Sequence, residues 1–460
     1  MPSCSIHPLR SILLIGLLGS LVLGSQAAAA KTPPPSREGA PVLRGFARLG
    51  KLERHPGQVE SFVDSIGVNT HLTYFDTSYR DYGRILAALQ ELGVRHLRDG
   101  IEPGSPPQRD FLARLGSLGF RLQLILGRPV PDRLGEYLGA VSDPSLLPAV
   151  QAVEGPNEYD LSGDPDWAAR LRGYQQRLFE RVRSDPRLDG MRVIGPSLSQ
   201  VASRESFGSV ARFLDAGNIH PYAGGDPTSL GHLAYETSLA ARQSGSKPIQ
   251  ATELGYHNAV ATTATHLPAS EQAAAVYLPR ALLDHFAFGI ERSFVYELVD
   301  QRPDPGRSQH EDSLGLLRTD FTRKPVFHAV RNLLRVLQPA TSGGGRAVPT
   351  GPLRFRGGGP ELRRVLLRRG ADVFLAVWRD VRVWDRFKRV PLTAESRPLT
   401  VRLGPRAPGV EVYRPGLSAR ARVACGSAKR LRLQVRADVT VVRLLGGKRP
   451  ERGAKPRACR

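Results

Sequence analysis

Two short segments hold the residues whose types and spacing could do chemistry. One reads Glu154-Gly-Pro-Asn157-Glu158-Tyr159, the other Gln250-Ala-Thr252-Glu253-Leu254. Each sets a glutamate at the end of an apolar run, where a carboxylate is costly to bury unless it is paired, hydrogen-bonded or used. Two carboxyl groups facing each other across a cavity can divide the work of breaking a glycosidic bond. One donates a proton to the leaving oxygen, and the other acts as nucleophile or base. A single strand-end glutamate is an ordinary solvated residue; the pair becomes informative only if the fold brings its members face to face. Histidines are the other reactive groups, among them His71, His96, His220 and His257. The first apolar run carries Asn69-Thr70-His71 rather than a His-x-His pair, and no HExxH helix is present, so a metal-dependent hydrolase is the weaker reading.

The elements that would position these groups follow from an alternation of short apolar runs with amphipathic segments. Strands are predicted at IGVNTHL (66–72), VRHLRD (94–99), FRLQLIL (120–126), VQAVEGPNE (150–158), MRVIGPS (191–197), GNIHPY (217–222), PIQATEL (248–254) and IERSFVYEL (290–298). Helical segments between them include 82–92, 110–118, 167–183 and 271–286, and 324–337 follows the last strand. Eight strands, each followed by a helix, match the pattern and size of a (β/α)₈ barrel of about 250 residues. An open doubly wound sheet is the competing architecture. It usually has a glycine-rich phosphate turn after its first strand, and TYFDTSYRD stands there instead. In a barrel, reactive residues project from the C-terminal ends of the strands. Glu158 and Glu253 then stand on strands four and seven, nearly opposite each other.

Beyond Pro339 a linker-like TSGGGRAVPTG leads into runs such as VLLRR, DVFLAVW, LTVRLG, GVEVYR, LRLQVR and DVTVVRLL. Their alternation predicts a small, half-buried antiparallel β-sandwich. The chain therefore divides into an apparent signal peptide (1–30), a Pro-rich linker or N-terminal segment (31–55), the barrel (56–340), the β-sandwich (350–447) and a basic, disordered tail (448–460).

The order of motifs on this framework resembles the large clan of retaining (β/α)₈ glycosidases, clan A of the glycoside hydrolases. That clan often writes strand four as Glu-x-x-Asn-Glu, as in Glu154-Gly155-Pro156-Asn157-Glu158, and ends strand seven with a glutamate, as in Glu253. Strand six typically carries His-x-Tyr, here His220-Pro221-Tyr222, and strand two an arginine, here Arg98. The resemblance implies that Glu158 is the acid/base, held protonated near neutral pH, and that Glu253 is the nucleophile. It further implies that Asn157 bonds the sugar 2-hydroxyl, Tyr222 orients Glu253, His220 lines the sugar site and Arg98 keeps Glu253 ionised. His71, Tyr256 and Tyr296 are expected to border the sugar sites. Retention sets the two carboxyls about 5–5.5 Å apart, inversion about 6.5–9.5 Å. No metal and no cofactor are implied. A barrel with an appended β-sandwich is similar to the xylosidase/iduronidase-like, endo-exopolysaccharide and glucuronidase-like families (39, 5 and 79). The chain departs from the clan at Pro156, where many members have Trp, and at Tyr296-Glu297, near the usual Trp floor. The end of strand three, LILGRP, lacks the His of some families.

The chain has 460 residues and a formal net charge of +22, placed very unevenly. Residues 341–460 hold 29 basic and 8 acidic side chains; residues 1–340 hold 36 and 35. A nucleic-acid partner would rest on this charge alone, without a reading helix, an aromatic RNA motif or a zinc module, so none is expected. An anionic envelope or acidic polysaccharide is the more natural counter-surface for the basic C-terminal part. Arg10, the apolar run Ser11–Gly24 and the small residues Ala28–Ala30 read as a secretory signal, with no stable membrane insertion after its cleavage. The mature chain would be secreted or held in the envelope, with Cys425 and Cys459 able to pair there. A non-catalytic carbohydrate- or envelope-binding protein on a glycosidase scaffold is the alternative, and the presence of both Glu158 and Glu253 argues against it.

Overall fold

The computed structural model describes residues 39–338, 353–426 and 428–446. The expected signal peptide, the basic tail and most of the linker after the barrel lie outside these residues. Among the described residues no helix is long and apolar enough to cross a membrane. Cys425 is disulfide-bonded, and Cys459 is not among the described residues.

Eight parallel strands form the barrel: β1 (Ile66–Asn69), β2 (His96–Gly100), β3 (Arg121–Ile125), β4 (Val150–Glu154), β5 (Arg192–Ile194), β6 (Gly217–Ile219), β7 (Ile249–Leu254) and β8 (Ser293–Val295). They are hydrogen-bonded in the order β5-β4-β3-β2-β1-β8-β7-β6. An Ile194–Ala216 bridge and the Gly195 N–H to Ala216 O bond (2.9 Å) join β5 to the start of β6 and close the ring. Every residue of β7 is buried, as a parallel strand covered on both faces requires. All eight predicted strands are present, shortened mainly at their polar ends. Segment 155–158, read as strand, is a turn beyond the end of β4.

The helices are α1 (Gly39–Leu52), α2 (Val59–Asp64), α3 (Tyr82–Leu92), α4 (Pro106–Ser117), α5 (Leu134–Val141), α6 (Trp167–Ser184), α7 (Val201–Ser206), α8 (Leu230–Ser244), α9 (Glu271–Phe288) and α10 (Pro325–Leu337). Helix α3 starts where the Asp81 carboxylate accepts the Arg84 N–H and stops at Gly93 (φ 83°), an N-cap and a left-handed C-terminal residue of the expected kinds. Helix α1 falls within 31–55, the stretch read as a Pro-rich linker or N-terminal segment. Val42, Gly45, Leu49 and Leu52 recur on one face and pack toward α9, with Arg48 Nε donating to Phe286 O at 3.2 Å. Its Gly, Pro and Arg content concealed that period.

The C-terminal part contains β9 (Arg354–Gly357), β10 (Leu362–Arg369), β11 (Asp372–Arg379), β12 (Arg397–Ala407), β13 (Gly409–Arg414), β14 (Ser418–Cys425), β15 (Ala428–Val435) and β16 (Thr440–Leu445). One sheet runs β10-β11-β16-β13-β14 and is extended beyond β10 by Gly57–Gln58, which pairs in parallel with Leu367 and Arg368. The other runs β9-β12-β15. The apolar side chains enclosed between them (Leu375, Val401, Val412, Leu431) make a sandwich core. Strands β9 and β14 were not expected, because RFRG and SARARVAC contain no apolar run.

Strand β11 explains how the two parts join. Val373, Leu375 and Val377 face the sandwich core, while Phe374, Ala376 and Trp378 face the barrel's own core, so a period-2 strand is buried on both sides. Around this seam the basic β-domain meets acidic barrel groups. Arg363 pairs with Asp284 (2.5 Å), Arg364 with Glu53 (3.2 Å), Arg369 with Glu60 (2.5 Å) and Arg382 with Asp226 (2.8 Å). Arg432 and Arg436 lie on the solvated side, as their alternation suggested. Part of the charge asymmetry is therefore used in joining the domains. Phe374→Ala, which empties a 1 % exposed site in this seam, is expected to lower unfolding free energy by about 3–5 kcal/mol in a urea titration.

Candidate active site

The site begins where β4 ends. Glu154 is fully buried, and Gly155 follows because a Cβ there would meet Gln175 Oε1 at 2.3 Å and Pro196 N at 3.2 Å. The turn then carries Glu158 into the left-handed region (φ 44°, ψ 43°). This conformation costs a non-glycine residue about 1–2 kcal/mol. It is held by the Glu158 N–H donating to Ser197 Oγ at 3.1 Å.

Register places Asn69 beside Arg98, and Arg98 beside Gln123, on adjacent strands. The Arg98 guanidinium makes five hydrogen bonds: Nε to Glu154 Oε2 (2.8 Å), Nη2 to Glu154 Oε1 (2.7 Å) and Asn157 Oδ1 (2.6 Å), and Nη1 to Asn69 Oδ1 (2.9 Å) and Glu253 Oε1 (2.8 Å). Five is the full donor capacity of arginine. Burial alone would lower its pKa, but the Glu154 and Glu253 carboxylates raise it above its ordinary value. Glu154 also accepts from Gln123 Nε2 (2.8 Å) and Asn218 Nδ2 (2.9 Å). Glu253, at the end of β7, receives the Tyr222 hydroxyl on its second oxygen at 2.7 Å. Both Glu253 oxygens are thus held by donors that fix its aim.

Glu158 has a different partner. Its Oε1 lies 2.7 Å from His220 Nδ1, and His220 Nε2 lies 3.0 Å from Thr252 Oγ1. The Thr252 hydroxyl gives its hydrogen to Asn218 Oδ1 (2.6 Å), so His220 Nε2 must carry a proton and donate to Thr252. One further proton then lies between His220 Nδ1 and Glu158 Oε1. Burial would push the Glu158 carboxyl up, but the hydrogen bond and charge of His220 outweigh it and hold the group below its ordinary value. Burial would push the imidazole down, but Glu253 and Glu158 raise it. Both directions favour the shared proton on the histidine, whereas the sequence expectation places it on Glu158.

Eight of the nine expected site residues come together; Tyr256 is instead buried against Tyr277, 5.7 Å between ring centroids. Arg98, Asn157, Glu253, His71 and Tyr296 line one cavity of about 420 Å³; Glu158, His220 and Tyr222 reach it through the bonds above. A carboxylate oxygen of Glu158, one of Glu253 and a His220 nitrogen lie within 4.8 Å of one another. His71 stacks on Tyr74 (4.6 Å between centroids) and meets Tyr296 edge-on (5.3 Å). Burial pushes the His71 imidazole down to about 4, so it lines the wall as a neutral ring. The Asn157 carbonyl is taken by Arg98 and Ser197, which leaves its amide N–H₂ as the ligand-facing donor.

Sequence reasoning assigned no role to Asn69, Gln123, Ser197, Asn218 or Thr252, which hold the acids in place. The available signal was polar residues inside otherwise apolar strand runs. It also left Glu297 unassigned: this fully buried carboxyl accepts from Tyr79 Oη (2.9 Å) and Gln301 Nε2 (3.2 Å), and burial pushes it well above the carboxylate range. Glu158, His220 and Glu253 are close enough to hold a cation. However, both imidazole nitrogens and both Glu253 oxygens already have partners, and a buried guanidinium lies 2.8 Å from Glu253. The donor set suits proton transfer better than a divalent ion. Arg98→Met would leave two buried carboxylates without their cation, and a loss of about 3–5 kcal/mol is expected in denaturant unfolding.

No known protein-family profile matches the chain, and no curated protein does. Solved structures do. A family 39 glycoside hydrolase from Bacteroides cellulosilyticus superimposes with a TM-score of 0.56 at 15% identity, over 84% of this chain and 81% of that one. A glucosidase from Croceicoccus marinus gives a TM-score of 0.49 at 14% identity (78% and 91% covered). A β-1,3-glucanosyltransferase from Rhizomucor miehei gives 0.47 at 19% (58% and 97%). The likeness to the first of these is one of fold: the chain is a (β/α)₈ barrel followed by a β-domain, the architecture of that family 39 glycoside hydrolase.

Proposed function

We propose that the protein is a glycoside hydrolase that cleaves O-glycosidic bonds of an oligo- or polysaccharide with retention, using Glu253 as nucleophile and Glu158 as acid/base. The observation that carries this reading is that a carboxylate oxygen of Glu158 and one of Glu253 lie within 4.8 Å of each other beside the cavity. So close an approach favours a pair that reacts directly with the sugar over one separated by an intervening water.

In the first step Glu253, aimed by Arg98 and Tyr222, attacks the anomeric carbon. The bond to the leaving oxygen breaks, and that oxygen takes the proton shared by Glu158 and His220. In the second step Glu158 takes a proton from water, the water oxygen bonds to the anomeric carbon, and the bond to Glu253 breaks. The Asn157 amide would meet the sugar 2-hydroxyl, a contact that strengthens in the transition state. The basic β-domain would draw the enzyme to an acidic glycan or envelope, an attraction that weakens with salt. Export rests on the N-terminal apolar run.

Four measurements test the reading. Glu253→Gln and Glu158→Gln should each lower hydrolysis of nitrophenyl glycosides and oligosaccharides by about 10²-fold or more while leaving the circular dichroism spectrum unchanged; full activity in either overturns it. NMR of the first product formed should show the substrate's own anomeric configuration, and treatment with a chelator should leave the rate unchanged. Because the proton sits on an imidazole of raised pKa, activity should fall on the alkaline side as that group deprotonates. His220→Asn should move this limb of the kcat/KM profile to lower pH, where Glu158 alone would govern it.

A further inference from the structure

Beside the cavity at Glu253 lies a second, of about 710 Å³, outside the sugar site described above. It begins at Tyr222, whose hydroxyl bonds Glu253, and ends on residues of the β-domain, Arg382, Arg386 and Phe387. The first cavity extends over the loops that follow β1, β2 and β3, reaching Tyr74, Ile101 and Tyr137. Glu158 stands on the other side, bonded to His220 just beyond β6. The loop after β6, which carries Tyr222 and Asp226 into the second cavity, thus begins at the histidine that shares a proton with Glu158.

The β-domain wall of that cavity is a hairpin, Trp384–Asp385 paired with Val390–Pro391, and it is fixed firmly to the barrel. Trp384 is 4 % exposed and its Nε1 donates to Pro268 O at 2.9 Å. Arg389 donates to Val260 O (2.8 Å) and Thr262 O (2.5 Å). Arg382 and Arg386 both pair with Asp226 of the loop after β6. At Gly225 the two parts approach so closely that a Cβ would meet Pro268 O at 2.2 Å and Arg386 Cβ at 2.7 Å. The tip itself is preorganised: Asp385 Oδ1 accepts the N–H groups of Phe387 (3.0 Å) and Lys388 (2.9 Å).

On this rigid tip Phe387 is 71 % exposed, the most exposed of the large apolar side chains among the described residues. Arg386 packs on its ring at 4.8 Å. A lone exposed aromatic needs no explanation. One held on a braced turn, in a cavity that begins at the tyrosine bonded to Glu253, offers an electron-rich face to the C–H groups of a pyranose ring at little entropic cost.

Resting on the glycosidase reading, we propose that the Phe387 hairpin of the β-domain binds the leaving-group side of the substrate, which is a carbohydrate chain rather than a single terminal unit with a small aglycone. The barrel supplies the chemistry and the sugar site; the second domain grips the portion released first.

The test is a comparison of substrates. Wild type, Phe387→Ala and Phe387→Trp are assayed on a panel of nitrophenyl monoglycosides and on oligosaccharides of whichever sugar is hydrolysed. For Phe387→Ala the oligosaccharide KM should rise by about tenfold, the loss of one stacked ring, with nitrophenyl monoglycoside turnover within about twofold of wild type. Phe387→Trp should restore the oligosaccharide KM. An unchanged oligosaccharide KM in Phe387→Ala, or an equal loss on both substrates, would overturn this inference and leave the glycosidase reading standing. A wild-type protein that hydrolysed nothing in the panel would overturn both.

Discussion

A single buried cation organises the upper end of the barrel. Arg98 spends every donor it has on residues from β1, β4, the turn after β4 and β7. Its two carboxylate partners differ in kind. Glu154 is fully enclosed and bonded by four donors, and it serves as the permanent counter-ion. Glu253 gives one oxygen to Arg98 and the other to Tyr222, and it borders the cavity. Desolvating a guanidinium is tolerable only with such complete pairing. The polar residues that ring it therefore belong to one arrangement rather than to several independent contacts.

The same arrangement explains the division of labour between the two candidate acids. Glu253 faces a fixed positive charge that no accessible pH removes. Glu158 faces an imidazole, whose charge can move, and the histidine is kept in register by the Thr252–Asn218 relay that ends on Glu154. One carboxyl is fixed in aim by two donors, and the other shares a proton with a neighbouring ring. Both behaviours trace back through hydrogen bonds to the counter-ion at the end of β4.

Much of this was legible in the amino-acid sequence. Eight apolar runs with helical intervals announced the barrel, strand-end positions singled out Glu158 and Glu253, and the resemblance to retaining (β/α)₈ glycosidases pointed to Arg98, His220 and Tyr222. Pairing depends on register between strands distant in sequence, and that was not legible. Glu154 looked like one letter of a motif, and its role emerges only when β2 and β4 set it against Arg98. For a related reason the motif says which carboxyl can act as an acid but not which neighbour shares its proton. Helix α1 was hidden by its Gly, Pro and Arg content, and β14 by a charged alternation without an apolar run. The basic C-terminal part was visible as a sum, but not the share of its arginines directed at barrel carboxylates.

The two-residue strand Gly57–Gln58 has a bearing on how the chain comes to be assembled. It precedes the barrel in sequence, yet it hydrogen-bonds to Leu367 and Arg368 on the far side of the barrel, about 310 residues later. The polypeptide's early portion thus supplies an edge of the sheet built from its last portion. As the chain is synthesised, that edge must wait with its backbone groups open until nearly everything else has emerged. All the barrel strands lie between the two partners in sequence, so this pairing ties a segment that precedes the barrel to the sheet that follows it.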